Sequence, residues 1–277
     1  MATEPAVTVP EERLSPDRND RMRQAAEVLL AARRECRPIP SLAPELRPQS
    51  VPEAYALQDI MAQALSTPGD ALGGWKVGAP SLDATPMCAP MPMVAGFLTS
   101  GTTLAPGQSR LRGVEAELAF LLGRDLPRRE EAYTHDEVVA AIASAHPAIE
   151  ILESAFTDPD AVDRLSIVGD LQIHGGFAYG PAVAGWQSLD LAQETLEVFI
   201  DGALRSEKRV TEDPRPYLLR LVQWLANEGQ SRTGGLRAGQ WITTGSWSGK
   251  QYASPGSSVE ARFAMLGTVA MKFADVE

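Results

Sequence analysis

The chain has 277 residues, 44% of them apolar, two cysteines and a formal net charge of −11. That is enough chain and enough apolar material for a sizeable core without disulfide staples. The acidic balance argues against a nucleic acid or an anionic membrane as partner, since neutralising phosphate needs basic patches. No run of about eighteen apolar residues is present to span a bilayer. Cys36 and Cys88 lack metal-type spacing and form no disulfide framework, so a reduced cytoplasm is the expected setting.

Residues 1–19 are acidic and proline-bearing without an apolar signal core, and are expected to form a flexible arm. Residues 20–34 read as an amphipathic helix with Met22, Ala26, Leu29 and Leu30 near one stripe, stopped by Pro38 and Pro40. Ser50-Val51-Pro52-Glu53 is a capping box that opens a helix carrying Leu57, Ile60, Met61 and Leu65. Together these predict a helical cap over 20–70, followed by a β-rich catalytic domain over 71–277.

From Gly73 onward the chain turns to short apolar runs punctuated by glycine and proline. Thr134-His135-Asp136-Glu137 opens a capped helix through Val138, Ile142 and Ala145, which Pro147 ends. A strand follows from Ala148 to Glu153, then a hairpin of 196–200 and 204–210 around Asp201-Gly202, and a helix over 216–227. Strand candidates at 241–244 and 259–273 complete an α+β fold.

The stretch Gly113-Val114-Glu115-Ala116-Glu117-Leu118-Ala119-Phe120 carries two carboxylates in an otherwise apolar strand. Strand residues i and i+2 share a face, which places Glu115 and Glu117 about 6.6 Å apart while Val114, Ala116, Leu118 and Phe120 line the other face. At an effective dielectric near 20 their repulsion is about 2.5 kcal/mol before desolvation, and a hard divalent cation is the economical compensator. The bland alternative is a solvated strand face. Glu150, in Ala148-Ile149-Glu150-Ile151-Leu152-Glu153, is a further charge among aliphatics, and Glu153, facing the other way, competes with it as a ligand. Lys76, flanked by glycines, is either paired with carboxylate, tuned for proton transfer or a snorkelling surface lysine. His174 is better read as a hydrogen-bonded structural histidine than as a substrate contact, and Ser246 as either a turn cap or a binding group. The run from Gly245 to Lys250 matches neither a phosphate loop nor a nucleophile elbow. Three histidines are too few for a histidine-built metal site, which favours an oxygen-rich one.

The segments GWKVGAPS, GVEAELAFLLGRDLP, PAIEILES, GDLQIHGGFAYGP and GLRAGQWITTGSWSG, in this order, resemble the fumarylacetoacetate hydrolase superfamily, within it the 2-oxopent-4-enoate hydratase and 4-oxalocrotonate decarboxylase branch. The resemblance implies a mixed β-sandwich roll with Mg²⁺ or Mn²⁺ held by Glu115, Glu117 and Glu150, Lys76 beside the metal as catalytic residue, and a substrate pocket involving Gly245, Ser246 and Asp170. It implies a lyase acting through a stabilised enolate on a small 2-oxo or 2-hydroxy-dienoic acid, in aromatic catabolism or a related biosynthetic step. Hydration, decarboxylation and carbon–carbon hydrolysis of acylpyruvates are the alternatives, with a non-catalytic partner subunit behind them. The hydrolases need a Glu–His dyad, for which the region before Pro147 offers only His135 and His146. The resemblance further implies a homo-oligomer and allows a complex with a related pathway enzyme. The branch usually carries an aspartate where this chain has Pro92-Met93-Val94-Ala95, and polar groups where it has Leu171 and Ile173. That difference predicts a more apolar pocket, suited to a bulkier 2-oxo acid or to a reaction without attacking water.

Overall fold

A computed structural model describes residues 14–66, 72–92 and 97–275. Six helices are described: α1 (Pro16–Arg34), α2 (Val51–Leu65), α3 (His135–Ala141), α4 (Arg164–Gly169), α5 (Arg215–Ala226) and α6 (Gln230–Thr233). The strands are β1 (Gly74–Gly78), β2 (Met87–Met91), β3 (Phe97–Thr99), β4 (Thr103–Leu104), β5 (Gly113–Leu122), β6 (Leu126–Pro127), β7 (Ile142–Leu152) and β8 (His174–Tyr179), then β9 (Thr195–Ile200), β10 (Ala203–Arg209), β11 (Gly235–Leu236), β12 (Trp241–Thr243), β13 (Gln251–Tyr252), β14 (Ser258–Phe263) and β15 (Gly267–Phe273). A mixed sheet runs β2-β1-β12-β5-β7-β8-β3 with β13 beside β5, a second runs β10-β9-β14-β15-β4, and β6 pairs with β11.

The two large sheets pack face to face. Val114, Ala116, Leu118, Phe120 and Leu122 of β5 meet Val198, Ile200, Val259, Ala261 and Phe263 of the second sheet in one core. This is the face that strand alternation assigns to burial. The other face of β5 is thereby left to Glu115 and Glu117. The hairpin forms as expected, with Asp201 (φ 52°) and Gly202 (φ 76°) supplying the left-handed turn that a tight hairpin needs.

Two elements depart from the sequence expectation. The first helix starts at Pro16 rather than Asp20, because Ser15 is extended and Pro16 sits in the first turn, where its missing N–H is harmless. The Thr134 helix has the expected reciprocal capping box but ends at Ala141 instead of continuing to Pro147. Residues 142–147 join β7, whose ladder with β5 runs from Gly113↔Leu152 to Leu122↔Ile142. A central strand buried on both faces shows no alternation, so the segment had no strand signature of its own.

At the start of α2, Ser50 Oγ accepts from Glu53 N as a cap should. Glu53 itself takes Gln49 N at 2.7 Å and pairs with Arg18 of α1 at 3.1 Å, so its buried carboxylate ties the two helices together. Met22, Ala26 and Leu29 pack on Leu57 and Met61, and Ala155, Phe156 and Leu171 of the β body enter the same cluster. Arg33 completes the joint. It donates to Asp170 Oδ1 at 2.8 Å, to the Asp170 and Glu153 carbonyls at 3.0 Å, and to the His174 carbonyl at 3.1 Å. Asp170 is wholly buried. Replacing Arg33 by methionine leaves that carboxylate without its cation, and is expected to lower unfolding free energy by about 3–5 kcal/mol in denaturant titration. The Arg33→Met/Asp170→Asn pair is expected to be less destabilised than the sum of the singles.

Candidate metal centre

Glu115 stands directly opposite Glu150 in the β5–β7 ladder, and Glu117 lies opposite Ala148. Three carboxylates therefore converge on the sheet face turned away from the main core, with one oxygen of each within 4.8 Å of the others. Glu150 is wholly buried and Glu117 nearly so, while Glu115 is partly exposed. Like charges directly opposite in an antiparallel pair destabilise it, more so out of water.

Lys76 reaches the cluster from β1, two strands away from β5 through β12. Its ammonium donates to both oxygens of Glu150, at 2.7 and 2.8 Å, and to the Gln172 carbonyl at 3.0 Å. His174, opening β8, places Nδ1 at 2.9 Å from Glu150 Oε1. A carboxylate only accepts, so Nδ1 carries the hydrogen. Gly245 N donates to Glu117 Oε2 at 3.1 Å from a backbone with φ 95°, a left-handed conformation that glycine adopts without a Cβ clash. Ser246 Oγ is buried beside Glu115 and favours its charged form without reaching hydrogen-bond geometry. The Thr243 hydroxyl is likewise buried and unpartnered.

The charges divide unevenly. Burial alone would raise the Glu150 pKa, but Lys76 and His174 outweigh it and hold the carboxyl at about 2. Glu117 has no such partner. Burial, then Glu150 and Glu115, push its pKa well up, and Glu115 is pushed up by burial, with Lys76 opposing. Burial disfavours the charge on Lys76, yet Glu150, Glu115 and Glu117 together hold its pKa above the ordinary value. Burial lowers the His174 pKa against the pull of Glu150. One buried lysine thus faces three carboxylates, and the deficit is what a divalent cation on oxygen ligands would fill. The residues present fit such an ion.

Of the predicted site residues, the structure brings together Glu115, Glu117, Glu150, Lys76, Gly245 and Ser246. Asp170 does not join them: Arg33, Ser154 Oγ (2.7 Å) and Ala155 N (2.9 Å) occupy its carboxylate, so it anchors the cap. Glu153 points away and holds the Arg110, Leu111 (3.4 Å) and Ser154 (2.8 Å) backbone N–H groups. Leu171 is buried in the helical core rather than lining a pocket, which removes half of the basis for an apolar far end. Met93 lies outside the described residues. His135 is exposed on α3, and His146 is bonded to Ser144 Oγ (2.8 Å) and the Gly180 carbonyl (3.0 Å), so neither forms a dyad with glutamate.

Nothing in the local pattern of residues singled out Gln172. Leu171, Gln172 and Ile173 all have positive φ (57°, 51° and 60°), a left-handed turn that points the Gln172 carbonyl at Lys76 and sets His174 against Glu150. Residues of these types avoid that region, and no local signal announces it.

The model for the fumarylacetoacetate (FAA) hydrolase C-terminal domain matches residues 79–274. The chain belongs to the fumarylacetoacetate hydrolase family. Family membership agrees with the mixed α/β architecture of several sheets. A relative from Paraburkholderia xenovorans named 2-keto-4-pentenoate hydratase is 28% identical over 260 residues, covering 90% of this chain and 94% of that protein. A 2-hydroxyhexa-2,4-dienoate hydratase from Comamonas testosteroni is 25% identical, covering 89% of this chain and 95% of that protein. The fold is shared with 4-oxalocrotonate decarboxylase from Pseudomonas putida G7, solved with magnesium and adipate, at a TM-score of 0.76, 20% identity, and coverage of 94% and 99% of the two chains. No helix among the described residues is long and apolar enough to cross a membrane.

The raised pKa of Glu117 fixes a sign. In metal-free protein the folded state holds the Glu117 proton more tightly than the unfolded state does, so this group's contribution to stability falls as pH rises from about 4.5 through its folded pKa. Glu150 contributes oppositely, its stabilisation present above about 4.5 and lost as pH falls toward 2. In chelator-treated protein at pH 8, Glu117→Gln is therefore expected to melt higher than wild type, with the gap closing near pH 5; added Mg²⁺ should raise only the wild-type melting temperature.

Proposed function

We propose that this chain is a divalent-metal-dependent lyase acting on a 2-oxo or 2-hydroxy-dienoic acid, in the manner of a 2-keto-4-pentenoate hydratase. The observation that carries this reading is the convergence of Glu115, Glu117 and Glu150 within ligand distance, with Lys76 alongside. The hydratase names of the relatives matched over about nine tenths of the chain support the substrate class.

Glu115, Glu117 and Glu150 would hold Mg²⁺ or Mn²⁺. The bound cation would supply positive charge to the carboxylate and keto oxygens of a 2-oxo acid, where the negative charge of an enolate develops. Lys76 is an ammonium at neutral pH, so it enters as a proton donor or a fixed positive charge at Nζ, not as a base. His174 and the Gln172 carbonyl orient the groups that meet there, His174 through Glu150 and Gln172 through Lys76. Gly245 N holds Glu117, and the Ser246 and Thr243 hydroxyls are donors without internal partners. The Ser246 hydroxyl would thereby be left to donate to a substrate carboxylate.

The deciding experiment titrates Mg²⁺ and Mn²⁺ with a panel of 2-oxo acids, following enolate absorbance and CO₂ release. Metal-dependent enolate formation is expected, with CO₂ evolved only if decarboxylation is the reaction; no metal-dependent binding would sink the proposal. Glu150→Ala is expected to abolish metal binding in calorimetry, whereas Glu153→Ala should retain it because its carboxylate faces the Arg110 loop. Lys76→Met is expected to bind metal yet lose about 10²–10⁴-fold in kcat.

A further inference from the structure

The segment after β12 runs along the rim of the carboxylate cluster. Trp247 N donates to the Ala116 carbonyl at 2.8 Å, Ser248 Oγ accepts from Ala116 N at 2.9 Å, and Gln251 pairs with Val114. The ladder ends at Gln251↔Val114, which leaves Lys250 at the edge of the strand segment that carries Glu115, the partly exposed member of the cluster and hence its open side. The Lys250 ammonium pairs with Asp160, on the short turn Pro159–Ala161 that follows β7. Its charge is felt by Glu115 and by Tyr252, and Tyr252 in turn feels Asp160, Asp158 and Glu115, so all five groups share one neighbourhood.

The cluster's other cation is committed. Lys76 is bound by Glu150 and by the Gln172 carbonyl, whereas Lys250 is held by one carboxylate whose side chain is 67% exposed. An ion pair open to water is weak, because both partners are well solvated when apart. A carboxylate arriving from solvent can take the place of Asp160. Lys250 carries the charge that a second anionic group would meet once the first is engaged inside the cluster.

We propose that Lys250 is a specificity-determining residue that pairs with the far-end carboxylate of a dicarboxylic 2-oxo acid, displacing Asp160. The site then prefers diacids to monoacids of equal length. This rests on the proposed function, since the 2-oxo end is taken to lie among Glu115, Glu117 and Glu150.

The test is calorimetry on Mg²⁺-loaded protein with two non-dienoic probes of equal carbon number, 2-oxoadipate and 2-oxohexanoate. Wild type is expected to bind the diacid about tenfold more tightly. Lys250→Met should collapse that ratio toward one, and Asp160→Asn, which frees Lys250, should widen it. Equal binding of the two acids by wild type, a ratio unmoved by Lys250→Met, or a ratio narrowed by Asp160→Asn overturns the role of Lys250 and leaves the metal site standing. Failure of Mg²⁺-loaded wild type to bind either acid overturns both the site and this inference.

Discussion

The arrangement on which the rest depends is the direct opposition of Glu115 and Glu150 across two central strands, with Glu117 one step away on the same face. A sheet does not ordinarily place carboxylates opposite one another in its interior, because each loses hydration and gains a like-charged neighbour. Everything adjoining the trio bears on that cost. Lys76 comes from β1, His174 from β8 and the Gly245 N–H from the segment after β12, so three further parts of the same sheet each supply one donor. Their distribution is lopsided: Glu150 takes two of the three, and Glu117 is left with a single backbone N–H. That asymmetry leaves Glu117 and Glu115 under-compensated by the protein's own donors, so that burial pushes both of their pKa values up.

The helical cap is coupled to this centre through the segment from Asp170 to His174. Arg33 grips Asp170 and the His174 carbonyl, while Lys76 grips the Gln172 carbonyl from the opposite side. Between them the chain makes a left-handed turn, at about 1–2 kcal/mol per non-glycine residue. Such a turn persists only where its surroundings over-determine it. Leu171 buried against the helices and Ile173 N bonded to the Asp170 carbonyl at 3.1 Å supply that constraint. Packing of α1 and α2 thereby helps set the position of the groups that orient Lys76 and Glu150.

Glu150 and Glu153 show how far alternation alone can sort function from structure. Three residues apart in one strand region, they lie on opposite faces, one at the cluster and one holding the Arg110 and Leu111 N–H groups of the loop that leads into β5. The second carboxylate fixes the entry of the strand that carries Glu115 and Glu117.

Strand period 2 and the aliphatics around them were sufficient to place Glu115 and Glu117 on one face, to set Glu150 apart from Glu153, and to mark the hairpin at Asp201-Gly202 and the caps at Ser50 and Thr134. These are local features, governed by the backbone of a few consecutive residues. The segments that tie the chain to its family were also legible in order. Tertiary structure decided the rest. Only the ladder of β5 with β7 set Glu150 opposite Glu115 and turned residues 142–147 from helix to strand, because a long central strand demands a partner along its whole length. Only the docking of the cap gave Asp170 to Arg33 and buried Leu171 among the helices. Register and strain are agreements between distant segments: each residue's own chemistry limits what it can do, but its partner is chosen by how the sheets and helices pack.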